Sequence, residues 1–301
     1  MAFLINPYFI TGFGILIWSG NFVVGRYANV DVPPVSLSFW RHLFAFLMII
    51  PFVYPHLKND WAKIKSCSKP ILIMGFLLAT GNSLVYFAIL HTTVTNAALI
   101  NAAVPVATII FSWLLLKDLI NPMQTIGILL AVTGIIIVVI QGNMQILLGL
   151  ELGLGDLFML ISVICWALYL VMLKRSQLHI HPWTVLFVLT GMGTIWLAPA
   201  YILEISLGFQ IQWSLLTLIS LGYVAIFSTI IGWACVNYGT LHLGPNRASA
   251  FMCLHPIFGA ILGSIFFSEV FGKHHIIGTI MVLIGVILVS RAYLNQAKPI
   301  C

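Results

Sequence analysis

Charge is what this sequence has least of. Asp, Glu, Lys and Arg make up 7% of its 301 residues, against 61% hydrophobic, where an ordinary soluble domain is about a quarter charged. That shortage excludes a water-soluble domain and leaves a polytopic membrane protein. Carboxylates are scarcest. All seven (Asp31, Asp60, Asp118, Glu151, Asp156, Glu204 and Glu269) fall at expected helix ends or in loops. None is expected mid-span, where it could carry protons or bind a cationic drug. The five cysteines (Cys67, Cys165, Cys235, Cys253 and Cys301) have neither disulfide nor metal-site spacing, so no metal or other cofactor is expected. HExxH, GxSxG and phosphate-binding strings are missing. Gly153-Leu154-Gly155-Asp156 has the form of the GxGD string of intramembrane aspartyl proteases. However, Asp156 opens a helix and has no mid-span partner, so an enzyme is not expected.

What is present is long apolar runs. Roughly 20 apolar residues cross the hydrocarbon core as a helix. Ten such runs can be drawn, at about 7–26, 34–54, 70–91, 94–116, 121–141, 153–174, 182–204, 214–240, 245–267 and 273–293. They are continuously apolar and do not alternate in period two, which speaks against a β-barrel. Pro7, Pro34, Pro122, Pro182 and Pro245 sit at or near the expected starts, where a missing N–H is harmless. The first run lacks a basic leader and a small-x-small cleavage site, so it is expected to be kept as a helix. Two connections are distinctive: a basic loop at 55–69 and a linker at 142–152 that could lie along the interface.

The sequence repeats itself. Residues 81–140 align without a gap on 232–291, an offset of 151. Gly81 falls on Gly232, Pro105 on Pro256, Gly127 on Gly278 and Gly134 on Gly285. The earlier runs repeat at an offset of 148, with Trp18 on Trp166, Pro34 on Pro182 and Pro51 on Pro199. The change of offset implies a few residues inserted between the second and third spans of the second copy. Five spans per copy is an odd number, so the second copy enters the membrane inverted. The expected fold is therefore all-α, with ten transmembrane helices in two inverted five-helix repeats over 1–141 and 153–293. Such repeats can rock about a central site near the midplane.

The 13 basic residues against 7 acidic ones are read as a topology signal. With the N-terminus inside, Lys58, Lys63, Lys65, Lys69, Lys117, Lys174, Arg175, Arg247, Arg291 and Lys298 lie on the inner side. Only Arg26 and Lys273 lie outside. This is the positive-inside pattern, and it places both termini in the cytoplasm. No basic–aromatic face lies outside the membrane, so no nucleic-acid partner is expected. The partners expected are the lipid bilayer and a small-molecule substrate; the oligomeric state stays open, and a monomer is compatible.

Taken in order, these residues resemble the drug/metabolite transporter superfamily, in its ten-helix form with two EamA domains. The resemblance rests on Ile17-Trp18-Ser19-Gly20-Asn21-Phe22, Arg41, Asn96-Ala97-Ala98, Pro105, Asp118 and Gly127 to Gly134. In the second copy it rests on Gly155-Asp156, Trp166-Ala167-Leu168-Tyr169, Asn246-Arg247-Ala248-Ser249, Pro256, Glu269 and Gly278 to Gly285. It implies a central cavity lined mainly by spans 1, 3, 4, 6, 8 and 9. It also implies transport of small metabolites, often export of amino acids, at an inner membrane. Other members carry purines, sugars or cations, so efflux of drug-like compounds or purines is the alternative. Small multidrug members carry a membrane-embedded Glu in their first helix, and this chain has none.

Arg41 has two readings: it snorkels or ties backbone carbonyls, or it meets a substrate carboxylate. His42 beside it reads as packing. His255, just before Pro256, is either a satisfied structural histidine or a hydrogen-bonding and proton-relaying group. His91 and His242 read as helix-end caps. Pro105 and Pro256 lie mid-span and are expected either to hinge or only to shape their helices. Trp18, Asn21, Asn82, Tyr86, Asn101, Trp166, Tyr169, Trp233 and Asn237 are the expected lining, with interhelical hydrogen bonding as the rival role for each amide. Together with Arg41 and His255, they suit a small polar or zwitterionic solute.

Overall fold

The computed structural model describes residues 6–28, 31–91, 100–101, 103–118, 121–140, 145, 153–176, 178, 180–267 and 272–291. They form ten helical segments, with no strand among the described residues. These are α1 (Pro7–Ala28), α2 (Pro34–Ser66), α3 (Ser68–His91), α4 (Val104–Leu116) and α5 (Pro122–Val139) in the first half. The second half has α6 (Leu154–Ser176), α7 (Pro182–Ser206), α8 (Leu215–Leu243), α9 (245–267) and α10 (Lys273–Arg291). Large apolar side chains such as Phe52, Ile126, Ile195 and Ile202 point outward, while Ser, Thr, Asn and Arg side chains are buried between helices. That is the arrangement a bilayer demands, since only internal partners can satisfy polar groups there.

The two halves meet about a two-fold axis that their glycines make visible. A Cβ at Gly127 would lie 2.7 Å from the Gly285 carbonyl oxygen, and one at Gly134 would lie 2.7 Å from that of Gly278. Gly278 is the repeat equivalent of Gly127, and Gly285 that of Gly134. Each glycine of α5 thus touches the equivalent of the other in α10. This is the reciprocity of an isologous contact, with the two helices antiparallel, as inverted repeats require. The same axis relates two indoles. Trp166 of the second half lies against Gly81, with Cδ1 3.4 Å from where a Cβ would be, and Trp18 of the first half lies against Gly232.

Helices α2 and α7 form the second pair on this axis. Phe39 stacks on Tyr201 at 4.3 Å and Phe46 on Phe187 at 4.5 Å between ring centroids. Each helix also caps the other. The Glu204 carboxylate accepts from the Val35 and Ser36 amides (3.0 and 2.7 Å) and from Ser36 Oγ (2.6 Å), at the start of α2. Asp60 Oδ2 accepts from the His181 amide (3.0 Å) and Thr184 Oγ1 (2.8 Å), at the start of α7. Ser36 and Thr184 are equivalent at the 148 offset. A helix start leaves amides without intrahelical partners, and here the twin helix supplies them.

One expectation is corrected. Residues 55–66 do not form a loop: α2 continues through them as a 33-residue helix, with Pro51 and Pro55 inside it. Leu57 and Ile64 pack on the core, and the Asp60 bonds hold the extension to α7. At 1.5 Å per residue the helix is about 50 Å long, well beyond a hydrocarbon core of about 30 Å. Its last turns therefore project from the membrane. Where the first half has only Cys67 between α2 and α3, the second half has the non-helical connection 207–214 before α8. Helices α3 and α8 begin 147 positions apart (68 and 215), yet Gly81 and Gly232 are 151 apart. Between these points α8 runs as a nine-residue π-helix, Val224–Gly232. Most of the 142–152 linker, and Glu151, Asn96-Ala97-Ala98, Glu269 and Cys301, lie outside the described residues.

Burial of Asp60 would raise its pKa, but the bonds from Thr184 and the His181 amide, with Lys63 Nζ 3.9 Å away, outweigh this and hold it below the ordinary carboxylate value. Its contribution to stability is thus full above the unfolded pKa of about 4 and drains as pH falls through the lower folded value. The melting temperature of the purified protein should accordingly drop more steeply between pH 5 and 3 than that of Asp60→Asn; parallel curves would show that the cap contributes nothing. Separately, Gly134→Val should destabilise by about 1–3 kcal/mol, the usual cost of overpacking. Gly153→Ala, with nothing within 4 Å, should leave the melting temperature in place.

Candidate functional site

Arg41 lies two turns into α2, 2% exposed, and its guanidinium reaches two other helices. Nε donates to Thr229 Oγ1 at 3.0 Å, and Nη2 to Ser228 Oγ at 3.4 Å, both on α8. Nη1 donates to Tyr86 OH at 3.0 Å and to Asn82 Oδ1 at 3.4 Å on α3. The Trp233 ring lies below, its centroid 5.8 Å from Arg41 Cζ. All these partners are neutral, and no carboxylate lies within ion-pair distance among the described residues. An isolated buried ion costs several kcal/mol. Hydrogen bonds to neutral acceptors and an aromatic face offset part of that.

The π-helix of α8 builds this site. Wider winding frees the ordinary i→i−4 pattern, so Thr229 Oγ1 donates five residues back, to the Val224 carbonyl, at 2.9 Å, and keeps its lone pairs for Arg41. Ser228 is bound from three sides. Its carbonyl accepts from Trp18 Nε1 (2.8 Å), and its hydroxyl from Asn21 Nδ2 (2.7 Å) as well as from Arg41. The sequence reading missed Ser228 and Thr229. The signal that could have found them is the loss of repeat identity at these positions: at the offset of 151 their equivalents are Leu77 and Leu78.

An aromatic cluster adjoins the polar one. Trp18 and Trp166, equivalent across the repeats, meet edge to face at 5.0 Å. Trp166 also contacts Tyr169 (5.8 Å) and Trp233 (6.4 Å). Tyr169 OH donates to Asn237 Oδ1 at 2.6 Å. His255 stacks on Trp18 at 6.1 Å, and its Nδ1 lies 3.0 Å from Ser19 Oγ. The one Ser19 hydroxyl hydrogen goes to the Ile15 carbonyl (2.9 Å), which makes Nδ1 the donor to Oγ. His42 packs against Gly193 and edge-on to Trp233 at 5.4 Å, as expected of a packing residue.

Ten of the eleven lining residues expected from the sequence are therefore joined in one network across α1, α2, α3, α6, α8 and α9. Asn101 is the exception: it is half-buried beside α4, and no described contact ties it to the others. Pro105 and Pro256 each take the second position of a 13-residue α-helical segment, 151 apart. Before Pro256 the chain tightens to a 3-10 turn, Phe251–Leu254. His242 Nδ1 pairs with the Tyr238 carbonyl (2.8 Å) in the last turn of α8. Two buried polar atoms of the network have no partner among the described residues: Asn21 Oδ1 and Trp233 Nε1.

The profile of the EamA-like transporter family matches this chain twice, over residues 8–140 and 153–291. The chain belongs to the EamA-like transporter family. It resembles an uncharacterized transporter of Archaeoglobus fulgidus, 25% identical over 94% of this chain and 95% of that one. It is also similar to the uncharacterized transporter YyaM of Bacillus subtilis (26%, covering 92% and 91%) and the uncharacterized inner membrane transporter YedA of Escherichia coli (26%, covering 95% and 91%). A crystal structure of a protein only 15% identical superposes with a TM-score of 0.74, covering 97% of this chain and 99% of that one, a likeness of fold. This EamA protein is thus an integral membrane transporter of a small molecule and not an enzyme.

Removing the Ser228 and Thr229 hydroxyls should disable the site without unfolding the bundle. Ser228→Ala/Thr229→Val leaves the guanidinium with two acceptors fewer, at about 1.5–3 kcal/mol each for bonds to a charged group. Transport should fall by more than about tenfold, while Thr190→Val, a buried hydroxyl away from the network, retains it. Flux assays on equal amounts of folded protein decide this.

Proposed function

We propose that this EamA transporter moves a small zwitterionic metabolite, an amino acid or a related compound, by alternating access in the direction of export. The carrying observation is the Arg41 guanidinium, buried among neutral partners with no carboxylate beside it among the described residues. A substrate carboxylate would complete the charge balance and add charge-assisted hydrogen bonds. The two unpartnered atoms agree in sign: the Trp233 indole N–H can donate to a carboxylate, and Asn21 Oδ1 can accept from an ammonium. The aromatic wall of Trp18, Trp166 and Tyr169 would receive an apolar side chain. His255, bonded to Ser19, is assigned a place in substrate hydrogen bonding.

The two repeats are assigned to 1–141 and 153–293, with Pro105 and Pro256 as hinges at the starts of the segments Val104–Leu116 and His255–Phe267. Lys and Arg distribution supports cytoplasmic termini. A bacterial inner membrane and a monomeric carrier fit this reading, as do the lipid-facing side chains on all sides of the bundle.

Proteoliposomes loaded with a panel of amino acids, the matching decarboxylated amines and purines test it. Efflux should require the carboxylate, and Arg41→Gln should reduce it at least about tenfold, the worth of one charged hydrogen bond. Movement of amines or purines alone would favour efflux of drug-like compounds or other metabolites. Equal loss for every solute, together with a lower melting temperature, would make Arg41 structural.

A further inference from the structure

A groove of about 330 Å³ opens where α3 begins and α6 ends, lined by Lys69, Pro70 and Ile73 from one and Met172, Arg175 and Ser176 from the other. Lys69 and Arg175 have exposed side chains with neither a hydrogen bond nor an ion pair among the described residues. Ser176 Oγ is already committed to the Leu173 carbonyl at 3.1 Å. No carboxylate lines the groove among the described residues. Asp60, the acidic group on the neighbouring end of α2, is engaged by His181, Thr184 and Lys63. Two cations of the same rim thus face the same space without a counter-ion.

The other wall is apolar and leads into the membrane. Ile73, one turn further along α3 from Lys69, is 48% exposed, and its neighbours Leu72 and Phe76 are exposed to lipid as well. Met172 lies about one turn in from Arg175 on α6. A cationic rim above an apolar wall is the complement of an amphiphile with an anionic head. A soluble phosphate would use the rim and leave the wall unexplained.

We infer that this groove holds the headgroup of an anionic phospholipid, its phosphate between Lys69 and Arg175 and an acyl chain along Ile73 and Met172. Basic pockets between membrane helices bind such headgroups. Because α3 belongs to the first half and α6 to the second, the lipid ties the two halves at one end of the bundle. It is a site apart from the Arg41 network and does not depend on which solute is carried.

Native mass spectrometry of the purified full-length protein, titrated with equal amounts of phosphatidylglycerol and phosphatidylcholine, tests the site. Wild type should retain phosphatidylglycerol selectively. Each rim cation is worth roughly fivefold at an anionic headgroup, so Lys69→Gln/Arg175→Gln should lose about 25-fold of that retention. Lys58→Gln/Lys65→Gln, altering the same end outside the groove, should retain it. Equal retention of both lipids, or equal loss in both variants, would overturn the site in favour of general surface charge. Full competition by millimolar glycerol phosphate would overturn the lipid and leave a soluble anion. A photoactivatable phosphatidylglycerol applied to unaltered protein needs no variant. Labelling confined to residues 69–73 and 172–176 supports the proposal, and labelling spread along the bundle refutes it.

Discussion

In a bilayer, apolar side chains gain nothing by leaving lipid for another helix, so helices associate where their surfaces fit closely. The contact between α5 and α10 meets that condition, with glycine facing the other helix's backbone at two points a two-turn step apart. It fixes the two-fold axis. The α2–α7 pairing, the seating of Trp166 on Gly81 and of Trp18 on Gly232, and the exchange of carboxylate caps are all arranged about that axis. A side chain at these glycines would meet the backbone of the facing helix at the axis itself.

Against that symmetric frame the site is asymmetric. The second copy winds Val224–Gly232 as a π-helix, and Ser228 and Thr229 stand there where the first copy has Leu77 and Leu78. π-Helical segments collect at functional sites. Here the reason is visible in the hydrogen bonds: the altered winding presents two hydroxyls and a carbonyl to groups from α1 and α2. Arg41 has no counterpart either, its equivalent being Leu189. The frame comes from what the duplication kept, and the polar pocket from what it changed.

The fold was largely legible in the sequence because bilayer thickness sets helix length and a duplication leaves a constant offset. Ten segments and their inversion follow from those two facts, and the EamA family match agrees. What was hidden has physical causes. The α2 extension read as a loop because two prolines and a basic run usually end a helix in water; Leu57, Ile64 and the Asp60 bonds hold it here. The polar residues Arg41, Asn82 and Tyr86 were visible as costly groups inside the membrane. Ser228 and Thr229 were not, since a hydroxyl can satisfy itself on its own helix and so carries no cost that marks it. Asn101 shows the converse: a polar residue in an apolar run that the described contacts leave outside the network.

The exchanged caps set a timetable for biosynthesis. The Ser36 amide at the start of α2 is closed by Glu204, 168 residues later in the chain. At 5–20 residues per second, α2 spends about 10–30 s in the membrane before its cap exists. Asp60, by contrast, is already in place when His181 and Thr184 emerge. The first half is therefore an incomplete structure that waits, and the second half is born onto a template.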